Sequence, residues 1–238
     1  MSVPREAPPL RRPVIFDQRW TDLTFLHWAV APDAVAPLLP PGTHPDVFAG
    51  STYVGLIPFR MRRAGPFTGL PVPYLGDFLE TNVRLYSVDD SGRHGVVFRS
   101  LETSRLAVAL FARLGLRLPY TWAAMSESVD GDCRVYRSRR RWPRPEYRTS
   151  VAVRVGGPVE ATDLERFLTA RWGLHSRYGR RTIWIPNRHE TWPLHEAALV
   201  RLDDELVAAA GLTVSGPPTL RPLWSPGVHS YFGPPAII

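Results

Sequence analysis

The sequence predicts an α+β fold in which antiparallel strands dominate. Three observations carry that expectation. Short segments of strand composition, partly alternating apolar and polar side chains, recur along the chain between Gly-, Pro- and Asp-rich turns. Two of them, FLETNVRLY running to about Val88 and HGVVFRSLE (94–102), flank the turn DDSG as a hairpin. Only two or three helical segments interrupt the series, and no GxGxxG, Walker loop or GxSxG elbow accompanies them, so dinucleotide, P-loop and α/β-hydrolase folds have no support.

The elements follow in order. Residues 1–13 are rich in Pro and Arg and read as a loose arm ahead of a single domain, 14–238. WTDLTFLHWAV (20–30) reads as a strand, and Asp33 to Leu39 as a short helix stopped by Pro40-Pro41-Gly42. STYVGLIPFRMR (51–62) is a strand in which Pro58 marks a bulge or an edge, and GPFTGLPVPYLGD (65–77) is a loop. TSRLAVALFARLG (103–115) has Thr103 or Ser104 as N-cap and Gly115 as its stop. It is apolar nearly all round and is therefore expected to be buried, with Glu102 and Glu80 the nearest carboxylates for its Arg105 and Arg113. YTWAAMSESV, CRVYRSRRRW and RTSVAVRV alternate with turns as strands. The capping box Thr162 to Glu165 opens a helix running to about Trp172. RRTIWIPNRH and TWPLHEAALVRL are further strands, and DELVAAAG is a short helix.

Composition narrows the function. With 44% hydrophobic and 21% charged residues the 238-residue chain is globular. No apolar run approaches the roughly 18 residues of a span, and the N-terminus lacks a signal-peptide core, so a cytoplasmic protein without a membrane partner is expected. The single Cys133 excludes an intrachain disulfide and a Cys-rich metal site. The seven histidines show no metal-ligand spacing; His189 and His195 would share one strand face, and no metal or cofactor is expected. The net charge is +7, and all 29 basic residues are Arg. Without Lys, no side-chain amine can form a Schiff base. RSRRRWPRPEYR (137–148) interleaves arginines with Trp142 and Tyr147, but one short cluster falls far short of a groove-binding module.

Read with period 2, FLETNVRLY (78–86) puts Phe78, Glu80, Asn82, Arg84 and Tyr86 on one face and Leu79, Thr81, Val83 and Leu85 on the other. Asn is depleted in strands, and a wet face seldom combines carboxylate, amide, guanidinium and phenol. The row is either a pocket wall or a buried ion network joining Glu80 and Arg84 to Arg105 or Arg113. His27, beside Trp28, is a candidate pocket residue or a hydrogen-bonded core histidine.

The order FLE (78–80), SLET (100–103), LAVALFAR (106–113) and LPY (118–120) resembles acetoacetate decarboxylase, including the five residues between Arg113 and Pro119. The chain as a whole resembles the YqjF-like family within that superfamily. WTDLTFLHW (20–28), LLPPG (38–42), VGLIPF (54–59), ETNVRLY (80–86), WPL (192–194) and SPGV (225–228) carry this second likeness. The resemblance implies a cone-like β-barrel with flanking helices, with the face bearing Glu80 turned to a cavity, and it suggests a homo-oligomer. It places Glu80 at the decarboxylase's active-site glutamate and Arg113 at the arginine of its helix. The Schiff-base lysine and its neighbour fall on Tyr120 and Thr121, so imine chemistry is not available.

Three readings follow. The first is a lysine-independent lyase or isomerase acting on a small oxo or hydroxy acid. In it Glu80 is the acid or base, Tyr120 donates a hydrogen bond to an oxyanion, and an arginine such as Arg84 or Arg105 clamps the carboxylate. The second is a binder of such a metabolite that does not turn it over. The third is nucleic-acid or partner binding through the Arg137–Arg148 hairpin.

Overall fold

A computed structural model describes residue 4 and residues 6–10, 13–115 and 117–238. The arm foreseen over 1–13 thus lies partly outside the described residues; within them, the Pro4 carbonyl accepts a hydrogen bond from Trp172 Nε1 at 2.9 Å. The described strands join in a single, mostly antiparallel sheet that closes on itself twice.

The hinge of the closure is the foreseen hairpin, β4 (Phe78–Asp89) with β5 (His94–Thr103). β4 pairs on its other side with β3 (Thr52–Pro66), and β3 with β1 (Phe16–Val30). β1 in turn pairs with β12 (Leu223–Phe232), while the short β2 (Thr43–Pro45) adds to β4. From β5 the sheet runs through β6 (Tyr120–Asp130), β7 (Cys133–Trp142), β8 (Arg148–Pro158) and β11 (His195–Asp204) back to β12. A second route from β5 to β12 passes through β9 (Gly173–Tyr178) and β10 (Arg181–His189), with β13 (Ala236–Ile237) at its edge. The strands β12, β1, β3, β4 and β5 therefore form a wall common to two closed rings.

The core divides along that wall, as period 2 requires. Val83 and Leu85 join Leu26, Val54, Leu56, Tyr136, Val151 and Val153 inside the first ring. Tyr86 packs instead with Leu174, Ile185 and Phe167, the last from α3 (Asp163–Thr169), inside the second. The capping box of α3 is present, Thr162 Oγ1 accepting from the Glu165 amide and Glu165 reaching back to the Thr162 amide. Pro58 lies inside β3 rather than at an edge. The β1–β3 register slips between the Thr21 and Leu26 pairs, on either side of Pro58, so the ladder bond that proline cannot donate is not required.

Two expectations change. α2 (Leu106–Gly115) is not buried: only Ala109 and Ala112 are, while Phe111 and Leu114 are 68% and 78% exposed. The helix lies outside the barrel over β5 and β6 and docks through its small side chains, so its larger apolar residues turn outward. Arg105 and Arg113 then need no buried carboxylates; each lies over an aromatic ring, Tyr74 and Trp142. The second difference concerns His189 and His195, which sit on separate strands, β10 and β11. The helix expected to run to about Trp172 ends at Thr169, and the strand β9, which begins at Gly173, was not foreseen. Two short helices complete the chain, α1 (Pro32–Val35) and α4 (Leu206–Ala209). Among the described residues, no helix is long and apolar enough to cross a membrane.

Candidate functional site

Alternation on β4 delivers the even-numbered side chains to the second ring. Glu80 is 3% exposed, paired across the sheet with Phe59 and Thr103. β6 begins parallel to β5, with Tyr120 beside Leu101, and this register brings the Tyr120 phenol to donate to Glu80 Oε2 at 2.9 Å. The amide of Asn82, next on the same face, also hydrogen bonds to the carboxyl. Among the described residues no guanidinium pairs with it. Burial therefore outweighs the two hydrogen bonds, and the Glu80 carboxyl is pushed up to about 8, so it carries its proton at neutral pH. Burial, with the nearby Glu80 carboxylate, likewise raises the Tyr120 phenol well above its usual value.

One repeat further along, Arg84 donates from Nε to the Tyr86 hydroxyl at 3.0 Å and from a terminal nitrogen to the Leu168 carbonyl at 3.1 Å. It lies over the rings of Phe25 and Tyr86. The Tyr86 hydroxyl also meets His27 Nε2 at 2.6 Å. Gly55 makes room for that ring, since a Cβ there would stand 3.1 Å from two of its atoms. Burial, reinforced by the positive charges of Arg84 and Arg171, holds His27 well below its ordinary pKa and therefore neutral.

Sequence reasoning missed Arg171. It follows α3, donates from Nε to the Phe167 carbonyl at 2.7 Å, stacks on Phe167 and Tyr86, and pairs with the Asp46 carboxylate. Asp46 is shared with His94 Nδ1 at 2.7 Å. Arg84 has no carboxylate partner among the described residues, one terminal nitrogen of Arg171 is buried without a hydrogen bond, and so is the Asn82 side-chain oxygen. The compartment thus holds Arg84 without a counter-charge, and Arg171 neutralised by Asp46 but with an unfilled N–H. No local pattern marked Arg171, because the approach of α3 to β4 is a tertiary event.

The structure brings Glu80, Asn82, Arg84, Tyr86, Tyr120 and His27 to this compartment. Arg105 and Arg113 stand apart. Arg105 hydrogen bonds to Tyr74, and Arg113 donates to the Tyr120 carbonyl from the outer surface. Phe78 and Arg105, with Arg60, Leu79 and Trp122, line an open cleft of about 500 Å³ that begins two residues before Glu80.

Two further polar clusters lie elsewhere. Inside the first ring, Arg140 donates from Nε to Glu102 Oε1 at 2.9 Å, and Ser100 joins the pair. Arg140 belongs to the arginine hairpin, so one of that hairpin's cations points into the barrel; Arg139 and Arg148 are engaged by Glu146. Ser87, His175 and Asp89 form a serine–histidine–aspartate chain, with Ser87 2.8 Å from His175 Nδ1. All three are buried and Asp89 is tied to Arg93, so this chain locks the β4–β5 turn.

The comparisons agree with this architecture. The chain is 27% identical over 202 residues to the protein YqjF of Bacillus subtilis, covering 84% of this chain and 83% of that one. Among solved structures, the acetoacetate decarboxylase of Legionella pneumophila is similar with a TM-score of 0.66 at 12% identity, over 97% of this chain and 92% of that one. The enduracididine biosynthesis enzyme MppR complexed with pyruvate is similar with a TM-score of 0.62 at 11% identity, over 95% and 91%. At such identities the likeness concerns the fold, which is acetoacetate decarboxylase-like. The match to the family described as "Uncharacterized conserved protein" extends over residues 17–229, and the chain belongs to that family, DUF2071.

Proposed function

We propose that the compartment behind β4 takes a small oxo or hydroxy acid and that the protein acts on it as a lysine-independent lyase or isomerase. The observation that carries this reading is Glu80, a buried carboxyl with no guanidinium partner, protonated at neutral pH and held by the Tyr120 phenol. A structural ion network would instead have paired it with an arginine. The substrate carboxylate sits against Arg84, which lacks an internal counter-charge, with Arg171 beside it. Glu80 gives its proton to the leaving hydroxyl, which departs as water, and the resulting carboxylate takes the proton from the adjacent carbon as the double bond forms; Tyr120 turns its hydroxyl from Glu80 to the substrate oxygen on which charge develops. MppR, which shares the fold, is described in complex with pyruvate, an oxo acid of this size.

The second reading, a metabolite binder without turnover, is favoured by the near-complete burial of Glu80 and Asn82. One screen separates the two. Pyruvate, lactate, acetoacetate and 3-hydroxybutyrate are tested by thermal shift and by product analysis on the wild type, Arg84→Gln and Glu80→Gln. A ligand at 100 times its Kd stabilises the wild type by about 2.7 kcal/mol. That gain is expected to disappear in Arg84→Gln, while Glu80→Gln keeps binding and loses turnover by about 100-fold or more. Binding without any product supports the binder, and no shift with any acid ends both readings.

A further inference from the structure

We propose that one end of the barrel is a docking surface for membranes containing anionic lipid. Strand register defines that end. β3 finishes at Pro66 and β4 starts at Phe78, β5 finishes at Thr103 and β6 starts at Tyr120, and Trp142 at the end of β7 pairs with Trp122. The loop 67–77, helix α2 and the β7–β8 turn therefore gather there. Among the described residues, fourteen large apolar side chains are exposed; eight of them lie in the loop and α2 and a ninth, Trp142, ends β7 at the turn, far more than chance scatter would place together. Leu106, Leu110, Phe111 and Leu114 project from α2 alone. The segments are joined into one surface by Arg105, stacked on Tyr74 of the loop at 3.9 Å, and by Arg113, over Trp142 of the turn at 5.4 Å.

Charge selects the partner. Within the loop, α2 and the turn the acids are Asp77 and Glu146, and Glu146 is held by Arg139 and Arg148. Arg62, Arg63, Arg105, Arg113, Arg117 and Arg141 have no carboxylate partner among the described residues, which leaves this end positively charged. An apolar surface interspersed with unpaired guanidiniums complements a bilayer whose headgroups are anionic and whose interior accepts Leu and Phe. Five of the nine protruding groups are aliphatic, and two of the four rings, Tyr74 and Trp142, are already covered by Arg105 and Arg113, so the surface suits a bilayer better than a row of stacked bases. A second copy of the chain would bring like charge against like charge. The contact is superficial, so it needs no transmembrane segment.

The full chain would be tested by co-sedimentation with phosphatidylcholine vesicles and with vesicles containing 30% phosphatidylserine. Binding is expected only to the anionic vesicles, with release in 0.5 M salt. Phe111→Ser/Leu114→Ser and, separately, Arg62→Gln/Arg63→Gln/Arg117→Gln are each expected to lower the bound fraction at least tenfold with Tm unchanged. Equal binding to both vesicle types, no binding by the wild type, or full binding by both variants would overturn the proposal. A wild-type dimer dispersed by Phe111→Ser/Leu114→Ser, or RNA binding in place of vesicle binding, would overturn it too.

Discussion

Arg140→Met is expected to destabilise the protein by about 3–5 kcal/mol, because it strands Glu102 inside the first ring. Glu102 has no exposed surface at all, and one of its oxygens already lacks a partner; the other depends on Arg140 and Ser100. Removing the cation leaves a carboxylate that neither water nor another guanidinium reaches. The pair is not intrinsically stabilising, since its Coulombic gain offsets the cost of taking both charges out of water. Glu102→Leu combined with Arg140→Met should therefore recover most of the loss. Urea denaturation of the single and double variants checks this. A loss below 1 kcal/mol for Arg140→Met would mean that the ring interior is wet.

Glu80→Gln should leave stability unchanged near pH 4 and raise it at pH 9. An unfolded Glu titrates near 4.5 and the folded Glu80 near 8, so between these values the folded chain keeps a proton that the unfolded chain has released. Stability contributed by Glu80 is thus fully present below about pH 4.5 and is lost as pH rises through 8. The gap corresponds to at most roughly 4–5 kcal/mol, less whatever water entry recovers. Gln keeps the shape and a hydrogen bond to Tyr120 without the titration. Buried His175 and His189, both held to about 4, act in the opposite direction, their stabilisation lost as pH falls from 6.5 towards 4. They cancel in the difference between wild type and variant. Melting curves from pH 4 to 9 decide the matter, and parallel curves would show that folding leaves the Glu80 pKa near its unfolded value.

Much of the fold was legible because it is written locally. Period 2 on FLETNVRLY separated the two faces of β4, though Val83 and Leu85 pack inside the first ring rather than against α2; the DDSG turn placed the hairpin, and the capping box located α3. The chemistry-bearing row was visible for the same reason, as alternation fixes which side chains share a face. What lies opposite a face is not local. α2 has the composition of a buried helix, yet its burial depends on a partner that the chain does not supply on that side. Arg140 and Arg171 looked like two arginines among many, and only ring closure and the approach of α3 set one against Glu102 and the other against Asp46.

A wall shared by two rings separates two kinds of selection within one strand. At the middle of β4, Val83 and Leu85 answer to the hydrocarbon packing of the first ring, and the even positions to whatever occupies the second. Descent can therefore rewrite the even positions of β4, and the residues that meet them, while Val83 and Leu85 continue to hold the barrel shut. A fold built this way can carry different chemistry in the same shape, and chains about a tenth identical superimpose over nearly their whole length.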